Sequence, residues 1–298
     1  MIIVRLVGGL GNQMFQYAVG RALSHRLGVS LKLDKTPFDT YDLHAYAIDN
    51  FNIREQSATP ADLDRVARFH GWKRRAWSAA VACFTLGAVR PIQYVSERGH
   101  GFNRGVLSLT DNTYLAGYWQ TEQYFKDIEP VIREEFSQAT PRDELNEQCL
   151  RQIEATEHPV SLHVRRADYV TDPTAAATHG ACSSGYYRRC LELIRKAVGT
   201  PHLFVFSDDI HWTRRALSFD CPVTFVDHNG PEKNYENLAL MSRCHHHIIA
   251  NSTFSWWGAW LNARPDRIVC APDPFFATTD RDGADIIPAS WTRVPSQP

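Results

Sequence analysis

The chain is organised around the stretch Ser161-Leu162-His163-Val164-Arg165-Arg166-Ala167-Asp168-Tyr169. An apolar strand pattern over residues 159–164 leads directly into two adjacent arginines. Open α/β sheets bind ligands at the carboxyl ends of their strands, so this arrangement predicts a ligand site. Guanidinium groups are planar, permanently charged forks that match phosphate oxygens. The competing interpretation is a solvated surface arginine pair bridged to Asp168, because most charged runs are of that kind.

The segments that follow this stretch repeat a strand-and-helix rhythm. Strands are predicted at 202–206, 223–226, 246–250 and 267–271, and helices at 210–219, 233–243 and 255–262. Alternating strands and helices of these lengths predict a parallel sheet with helices on both faces.

The amino-terminal residues predict a second α/β unit. An apolar strand at 2–6, a glycine-rich turn at 7–13, a helix ending at Gly28 and a strand at 30–34 form the opening of a doubly wound sheet. The turn lacks the third glycine of the dinucleotide fingerprint and the lysine of a P-loop. Its Asn12 and Gln13 are therefore better suited to hydroxyl groups than to phosphate.

A further strand is predicted at 113–116. The helix predicted after it is amphipathic, with one apolar side made of Tyr124, Phe125, Ile128, Ile132 and Phe136. Residues 137–142 are polar and contain Thr140-Pro141, so we place the boundary between two lobes there, giving residues 1–140 and 141–298. A chain of 298 residues is long enough for two such domains.

Composition excludes several classes of protein. The formal net charge is −1, which gives no indication of a nucleic-acid-binding surface. The seven cysteines form no Cys-x-x-Cys pair, which argues for a reducing compartment and against a disulfide framework. The first residues are too short in apolar content for a signal peptide, and no run reaches the length of a membrane span. We expect a soluble cytoplasmic protein.

Polar residues follow each of three predicted strands in the second half of the chain. These candidate ligand-binding residues are Arg165, Arg166 and Asp168, then Ser207, Asp208 and Asp209, then Asn251, Ser252, Thr253 and Ser255. Ser252 and Thr253 precede a predicted helix, so hydroxyls and free backbone N–H groups would face an anion. Together with the arginines they predict a metal-free diphosphate clamp, and a carboxylate could accept the N–H groups of a guanine base.

Two features have competing interpretations. Asp208 and Asp209 could hold Mg²⁺ against a diphosphate, or could cap the helix that follows them.

The run His245-His246-His247 could suggest a metal, but alternate residues of a strand face opposite ways and no second ligand cluster has matching spacing. We interpret the run as structural, and His163 as a structural or ligand-positioning residue. The tryptophans at 256, 257 and 260 are assigned to packing.

Three motifs resemble the galactoside α-1,2-fucosyltransferases of glycosyltransferase family eleven. The first is Gly8-Gly9-Leu10-Gly11-Asn12-Gln13-Met14-Phe15-Gln16-Tyr17-Ala18, and the second is His163-Val164-Arg165-Arg166-Ala167-Asp168-Tyr169. The third is Asn251-Ser252-Thr253-Phe254-Ser255-Trp256-Trp257-Gly258-Ala259-Trp260-Leu261. Segments 117–120 and 206–209 also fit. A departure is Asn237, where the family pattern would place an acid.

The resemblance implies a GT-B architecture, an α/β fold with two Rossmann-like lobes whose parallel sheets face a cleft. Residues 1–140 would form the acceptor side, and residues 141–298 would bind GDP-fucose. The implied reaction transfers L-fucose from GDP-β-L-fucose, with inversion and without an essential metal or other cofactor, to the 2-hydroxyl of a terminal galactose of a glycan. The implied roles are diphosphate binding by Arg165 and Arg166, guanine binding by Asp208 or Asp209, phosphate binding by Ser252 and Thr253, and Asn12 facing the reacting centre.

Other readings of the sequence stay open. A different nucleotide-sugar transferase could use the same scaffold, and a non-catalytic carbohydrate-binding protein could use the tryptophans. The general base is unresolved, because a carboxylate such as Asp168 beside two arginines has a depressed pKa and makes a poor base. We interpret Asp168 as a residue of the catalytic site that orients Arg166.

A basic and aromatic stretch over residues 72–86 suggests peripheral contact with an anionic membrane. Liposome co-sedimentation that is unchanged after replacing Lys73, Arg74 and Arg75 with glutamate would contradict this contact.

Overall fold

The computed structural model describes residues 1–40, 43–54, 56–69, 92–99, 101–166, 170, 177, 180–278 and 283–297. The chain divides into two compact units. Unit 1 contains Met1–Asp49 and Ile53–Glu135, and unit 2 contains Asn50–Asn52 and Phe136–Pro298. The predicted basic stretch at 72–86 and the predicted Asp168 lie outside the described residues.

Unit 1 contains a four-stranded parallel sheet in the order β2-β1-β4-β3. Its described elements are β1 (Ile2–Arg5), α1 (Leu10–Leu27), β2 (Leu31–Asp34), α2 (Pro60–Phe69), β3 (Gln93–Ser96), β4 (Thr113–Ala116) and α3 (Glu129–Glu135). Short 3-10 turns occupy Thr36–Asp39, Ile48–Asn50, Arg104–Ser108, Glu122–Tyr124 and Lys126–Ile128. Ile48–Asn50 runs into unit 2 at its last residue.

Two glycines permit the tight turn after β1 and the close packing of α1 against that strand. Gly8 has a φ of 84°, in the left-handed region, and a Cβ there would lie 2.8 Å from the side-chain nitrogen of Asn12. A Cβ at Gly20, inside α1, would overlap the side chain of Val4. The helix therefore lies directly on the sheet. It ends at Leu27, with Gly28 as a C-cap in the left-handed conformation, which agrees with the end predicted at Gly28.

A buried ion pair closes unit 1 at its last residue. The Nε of Arg21 donates to both carboxylate oxygens of Glu135, at 2.9 and 3.0 Å, and the Tyr17 hydroxyl donates to one of them at 2.7 Å. The side chains of Arg21 and Glu135 are each 7% exposed. This network ties α1 to the end of α3, where the chain leaves the unit.

Unit 2 contains a six-stranded parallel sheet in the order β10-β9-β8-β5-β6-β7. Its strands are β5 (Pro159–Val164), β6 (His202–Ser207), β7 (Val223–Phe225), β8 (His246–Ile248), β9 (Val269–Asp273) and β10 (Thr292–Pro295). Its helices are α4 (Glu144–Ala155), α5 (Ser184–Val198), α6 (Ile210–Ala216), α7 (Asn234–Arg243) and α8 (Thr253–Leu261), and Pro231–Lys233 is a 3-10 turn. This is the strand order of a doubly wound sheet, with β5 as the first strand.

The two faces of this sheet carry separate apolar clusters. Val160 and Leu162 of β5 pack with Val205 of β6 in one cluster, whereas Phe204 and Phe206 of β6 belong to another. Successive side chains of a strand point to opposite faces, so helices cover both sides of the sheet. The predicted α/β class, with two parallel-sheet units, is confirmed.

One predicted helix is wrong in its extent. The apolar spacing from Tyr124 to Phe136 predicted a single amphipathic helix, but α-helix forms only over Glu129–Glu135, after two 3-10 turns. Pro130 explains the break. Proline lacks an N–H and disfavours helical conformation in the residue before it, so a helix tolerates proline only in its first turn. Pro130 accordingly lies in the first turn of Glu129–Glu135.

Within the part of the chain that the structure describes, no helix is long and apolar enough to span a bilayer.

Candidate functional site

Three polar loops meet at one edge of the unit 2 sheet. The strands β8, β5 and β6 are neighbours and run parallel, so their carboxyl ends lie side by side. Val164, the last residue of β5, pairs with Ser207, the last residue of β6. The chain order reverses between β5 and β8, which is where doubly wound sheets open a ligand crevice.

Asp208 fixes the loop that carries the arginines. Its Oδ2 lies 3.1 Å from Nη1 of Arg165, and its Oδ1 accepts a 2.8 Å hydrogen bond from the backbone N–H of Arg166. Asp208 follows β6 whereas the arginines follow β5, so the two neighbouring strand ends are joined by one carboxylate. The side chains of Arg165 and Asp208 are 27% and 19% exposed.

Arg166 is held in a different way. Its guanidinium carbon lies 4.2 Å from the ring centroid of Trp212, and its Nε lies 3.6 Å from Oδ2 of Asp209. Asp209 is also the N-cap of α6, because its Oδ1 accepts a 3.0 Å hydrogen bond from the backbone N–H of Trp212. The Ser207 hydroxyl in turn accepts from the backbone N–H of Asp209 at 3.0 Å.

These contacts bear on the alternatives for the paired aspartates. The capping interpretation holds for Asp209. Each carboxylate faces an arginine, and among the described residues no group of three or more histidine, cysteine or acidic side chains could hold a metal ion. Guanine binding by Asp208 or Asp209 stays a prediction, since a carboxylate has about four lone-pair sites and can accept further hydrogen bonds.

The loop after β8 starts the helix α8 two residues earlier than predicted. Ser252 is its N-cap, and the hydroxyl accepts a 3.3 Å hydrogen bond from the backbone N–H of Phe254. Thr253 is thus the first helical residue. Ser255 is buried, and its hydroxyl lies 3.3–3.4 Å from the carbonyl oxygens of Ser252 and Ala250, so the structure gives it a bracing role within the turn.

Asn251 also joins parts of unit 2. It is 4% exposed, and its side-chain amide donates to the carbonyl of Gly180 at 2.8 Å. The Oδ1 of the same side chain accepts a hydrogen bond from the Cys182 thiol at 3.6 Å. Asn251 therefore holds the chain before α5 against the end of β8, and contact with a ligand stays a prediction.

His163 is buried at the end of β5. Burial, followed by the charge of Arg165, lowers the pKa of His163 to about 3, so the ring is neutral near pH 7. Its Nδ1 has no hydrogen-bond partner in the described part of the chain, and its ring lies 5.6 Å from that of Phe254. A neutral imidazole of this kind cannot act as a cationic acid, but it can offer one donor or one acceptor to a ligand.

The histidine run is structural. His247 bridges the Ser161 hydroxyl and the Asn262 amide, each at 2.8 Å, and His246 Nδ1 accepts from the backbone N–H of Ile268 at 3.1 Å.

Buried His247 makes stability depend on pH. Burial lowers its pKa from 6.5 to about 3, so at intermediate pH the unfolded chain binds a proton that the folded chain does not. Stability is therefore lost as pH falls from about 6.5 towards 3, by up to ~1.4 kcal/mol per pH unit for this group.

We expect His247→Gln to flatten the pH dependence of the urea midpoint between pH 7 and 5. His211→Gln, at an exposed position, is the control, and equal slopes in the two variants would contradict this origin.

The predicted residue Asn12 belongs to unit 1. Its Oδ1 accepts a 2.9 Å hydrogen bond from the Gln120 amide, which joins the loop after β1 to the loop after β4. Glu97, after β3, accepts from the backbone N–H groups of Tyr118 and Trp119 at 2.7 and 3.0 Å. Three strand-end loops of unit 1 are thus held by polar contacts, and the role of Asn12 toward a reacting centre stays a prediction.

Trp212 is the site residue that sequence reasoning missed. It lies in the first turn of α6, within the helix predicted at 210–219, and the sequence pattern assigned it no role beyond that helix. The only available signal was its position three residues after the capping Asp209, which places both at the start of one helix.

Comparison with known proteins agrees with the motifs. The family model described as Glycosyl transferase family 11 matches residues 72–292. The chain is 33% identical to alpha-1,2-colitosyltransferase of Escherichia coli over 99% of both chains. It is 30% identical to the O-antigen biosynthesis glycosyltransferase WbnK of Escherichia coli, over 93% of this chain and 95% of that one.

A solved structure is also similar. The crystal structure of NodZ alpha-1,6-fucosyltransferase soaked with GDP-fucose aligns with 87% of this chain and 91% of its own, at 16% identity and a TM-score of 0.49. The family model covers most of the chain, and the 33% identical relative extends over nearly all of it. The resemblance inferred from the three motifs is confirmed: this chain belongs to glycosyl transferase family 11 and is a glycosyltransferase.

Proposed function

We propose that the protein transfers L-fucose from GDP-β-L-fucose to the 2-hydroxyl of a terminal galactose in a glycan. The names of its relatives support this, since they include an α-1,2-colitosyltransferase and, at 25% identity, the galactoside 2-alpha-L-fucosyltransferase Sec1 of mouse. WbnK, named for O-antigen biosynthesis, favours a bacterial surface glycan as the acceptor.

The observation that carries the proposal is the arginine pair at the end of β5. Both guanidiniums are held by groups on the adjacent β6–α6 segment, and α8 begins at the end of the neighbouring strand β8. Arginine forks and the free N–H groups of a helix start are complementary to a diphosphate. Nothing in this clamp requires a metal ion, so donor binding without metal is part of the proposal.

The role of the arginines in the reaction follows from the negative charge that develops on the leaving phosphate in the transition state. When the bond between the sugar and GDP breaks, negative charge grows on the β-phosphate oxygen that leaves. Fixed cations aimed at that oxygen stabilise the transition state more than the ground state. The acceptor hydroxyl attacks the anomeric carbon on the face opposite GDP, so the configuration is inverted. The new glycosidic bond forms as the bond to GDP breaks, and the hydroxyl proton is released to the solvent. Asp168 is not assigned as the base.

Colitose is the second candidate for the transferred sugar. The relative with 33% identity is named for it, and colitose is fucose without its 3-hydroxyl. A pocket that hydrogen-bonds this hydroxyl would discriminate strongly against colitose, whereas an apolar pocket would discriminate weakly.

The test is a paired donor assay. Purified protein is incubated with a β-galactoside and either GDP-fucose or GDP-colitose, with and without EDTA, and the linkage is determined by NMR. An α-1,2-fucosylated product that forms equally well with EDTA supports the proposal. If transfer from GDP-colitose is faster than transfer from GDP-fucose, colitose and not fucose is the sugar that the protein transfers. Binding of the galactoside without GDP binding or transfer would favour a carbohydrate-binding protein.

A further inference from the structure

We infer that Trp212 is a positioning residue for Arg166, whose guanidinium it holds by its indole face so that the in-plane N–H groups stay available to the donor phosphate. This inference rests on the proposed function, because it assumes that Arg166 faces the diphosphate of a nucleotide sugar.

The two arginines differ in what holds them. Arg165 has a carboxylate oxygen of Asp208 at 3.1 Å, within ordinary ion-pair distance. Among the described residues, the carboxylate that pairs with Arg166 is that of Asp209, whose Oδ2 lies 3.6 Å from the Arg166 Nε, and the guanidinium carbon lies 4.2 Å from the ring centroid of Trp212. That distance is well inside the range of about 6 Å over which a cation is attracted to an aromatic face.

Contact with an aromatic face has a consequence that an ion pair lacks. The Trp212 ring offers no hydrogen-bond acceptor, because its indole nitrogen is a donor only, so it attracts the Arg166 cation without accepting a hydrogen bond from it. Trp212 can therefore fix the orientation of Arg166 without using any of its donors. The Arg166 side chain is 26% exposed, so part of it remains accessible to a ligand.

Trp212 is itself well anchored. Its backbone N–H donates to the capping Asp209, and its ring is partly buried against the apolar cluster that contains Val160, Leu162 and Val205. The same carboxylate that caps the helix also lies near Arg166. One helical turn thus supplies both the ring under the guanidinium and the carboxylate beside it.

A second pair in unit 2 provides a matched control. Arg214 lies with its guanidinium carbon 4.0 Å from the ring centroid of Phe225, and its Nη2 is 2.7 Å from Oδ2 of Asp227. The chemistry is the same, an arginine between an aromatic face and a carboxylate. This pair lies at the edge strand β7 and includes none of the predicted site residues.

The experiment measures GDP affinity by calorimetry for the wild type, Trp212→Phe, Trp212→Leu and Phe225→Leu. Trp212→Phe keeps an aromatic face and should stay within about twofold of the wild type, whereas Trp212→Leu should bind GDP about five- to tenfold more weakly. Phe225→Leu should bind as the wild type does. Melting temperatures of all variants show whether each is folded, and weakening by Phe225→Leu equal to that by Trp212→Leu would overturn the inference.

A double-mutant cycle distinguishes positioning from general damage. If Trp212 acts through Arg166, Trp212→Leu should have no further effect on GDP affinity in an Arg166→Met background. An equal loss in both backgrounds, or no loss from Trp212→Leu alone, would overturn the inference while leaving the proposed function standing. Failure of the wild type itself to bind GDP would overturn the proposed function, and this inference with it.

Discussion

Arg165→Lys is expected to lower kcat/KM for the nucleotide sugar by about tenfold to a hundredfold, with most of the loss in kcat. Lysine keeps the charge, and its ammonium can still pair with Asp208, but the planar fork that addresses two phosphate oxygens is gone. Hydrogen bonds to charged groups contribute ~1.5–3 kcal/mol, which corresponds to this range of rates. Because charge on the leaving phosphate grows during bond cleavage, the interaction is stronger in the transition state than with bound donor.

The matched control for this prediction is Arg214→Lys. Arg214 is also an arginine of unit 2 paired with an aspartate, Asp227, but both side chains are 45% exposed and lie outside the predicted site. We expect its kinetics to equal those of the wild type. Steady-state rates measured over a range of donor concentrations separate kcat from KM. Near-normal turnover in both Arg165→Lys and Arg166→Lys would refute the diphosphate clamp.

Glu135→Gln is expected to destabilise unit 1 by about 3–5 kcal/mol, the largest stability effect we predict. The substitution leaves the Arg21 cation in a site where its own side chain and its partner's are each only 7% exposed. Removing one member of a buried pair leaves an uncompensated charge, which costs more than the pair contributed. The Tyr17 hydroxyl also loses its charged acceptor.

Glu129→Gln on the same helix provides the comparison. Glu129 and Arg133 form a pair at 2.7 Å with four-residue spacing, and the Glu129 side chain is 35% exposed. Partly solvated pairs of this kind contribute ~0.3–0.5 kcal/mol, so this variant should unfold almost as the wild type does. Hydrogen exchange locates the effect, since Glu135→Gln should speed exchange in β1 and α1 but not in β5. Equal and small losses in the two variants would contradict the prediction.

Much of the architecture is readable from local sequence. The helix α1 was predicted through Gly28 because its apolar spacing ends at a residue that favours the left-handed conformation. The order of strands and helices in unit 2 follows from apolar runs bounded by polar loops. The strand β10 was not predicted, because in Thr292–Pro295 only Val294 is both apolar and buried in the core. A single inward residue leaves no alternation to detect.

The site was readable only as a set of neighbouring loops. Parallel strands bring Arg165, Asp208 and Asn251 to one edge of the sheet, and this much follows from the predicted topology. Which carboxylate meets which arginine depends on the register of β5 against β6 and on side-chain rotamers. The contact between Arg166 and Trp212 depends in addition on the direction in which α6 leaves its strand. Such contacts join residues more than forty positions apart and have no local signature.

The double contact of Asp208 has a consequence for the entropy of donor binding. A free arginine side chain has about 2 kcal/mol of rotamer entropy, which a mobile clamp would lose each time a nucleotide bound. Here one carboxylate from the next strand already contacts both the Arg165 side chain and the Arg166 backbone, which restricts the rotamers of Arg165 before a donor binds. Part of that entropy is therefore lost when the domain folds. Each donor that binds then restricts the arginine less than it would restrict a freely rotating side chain.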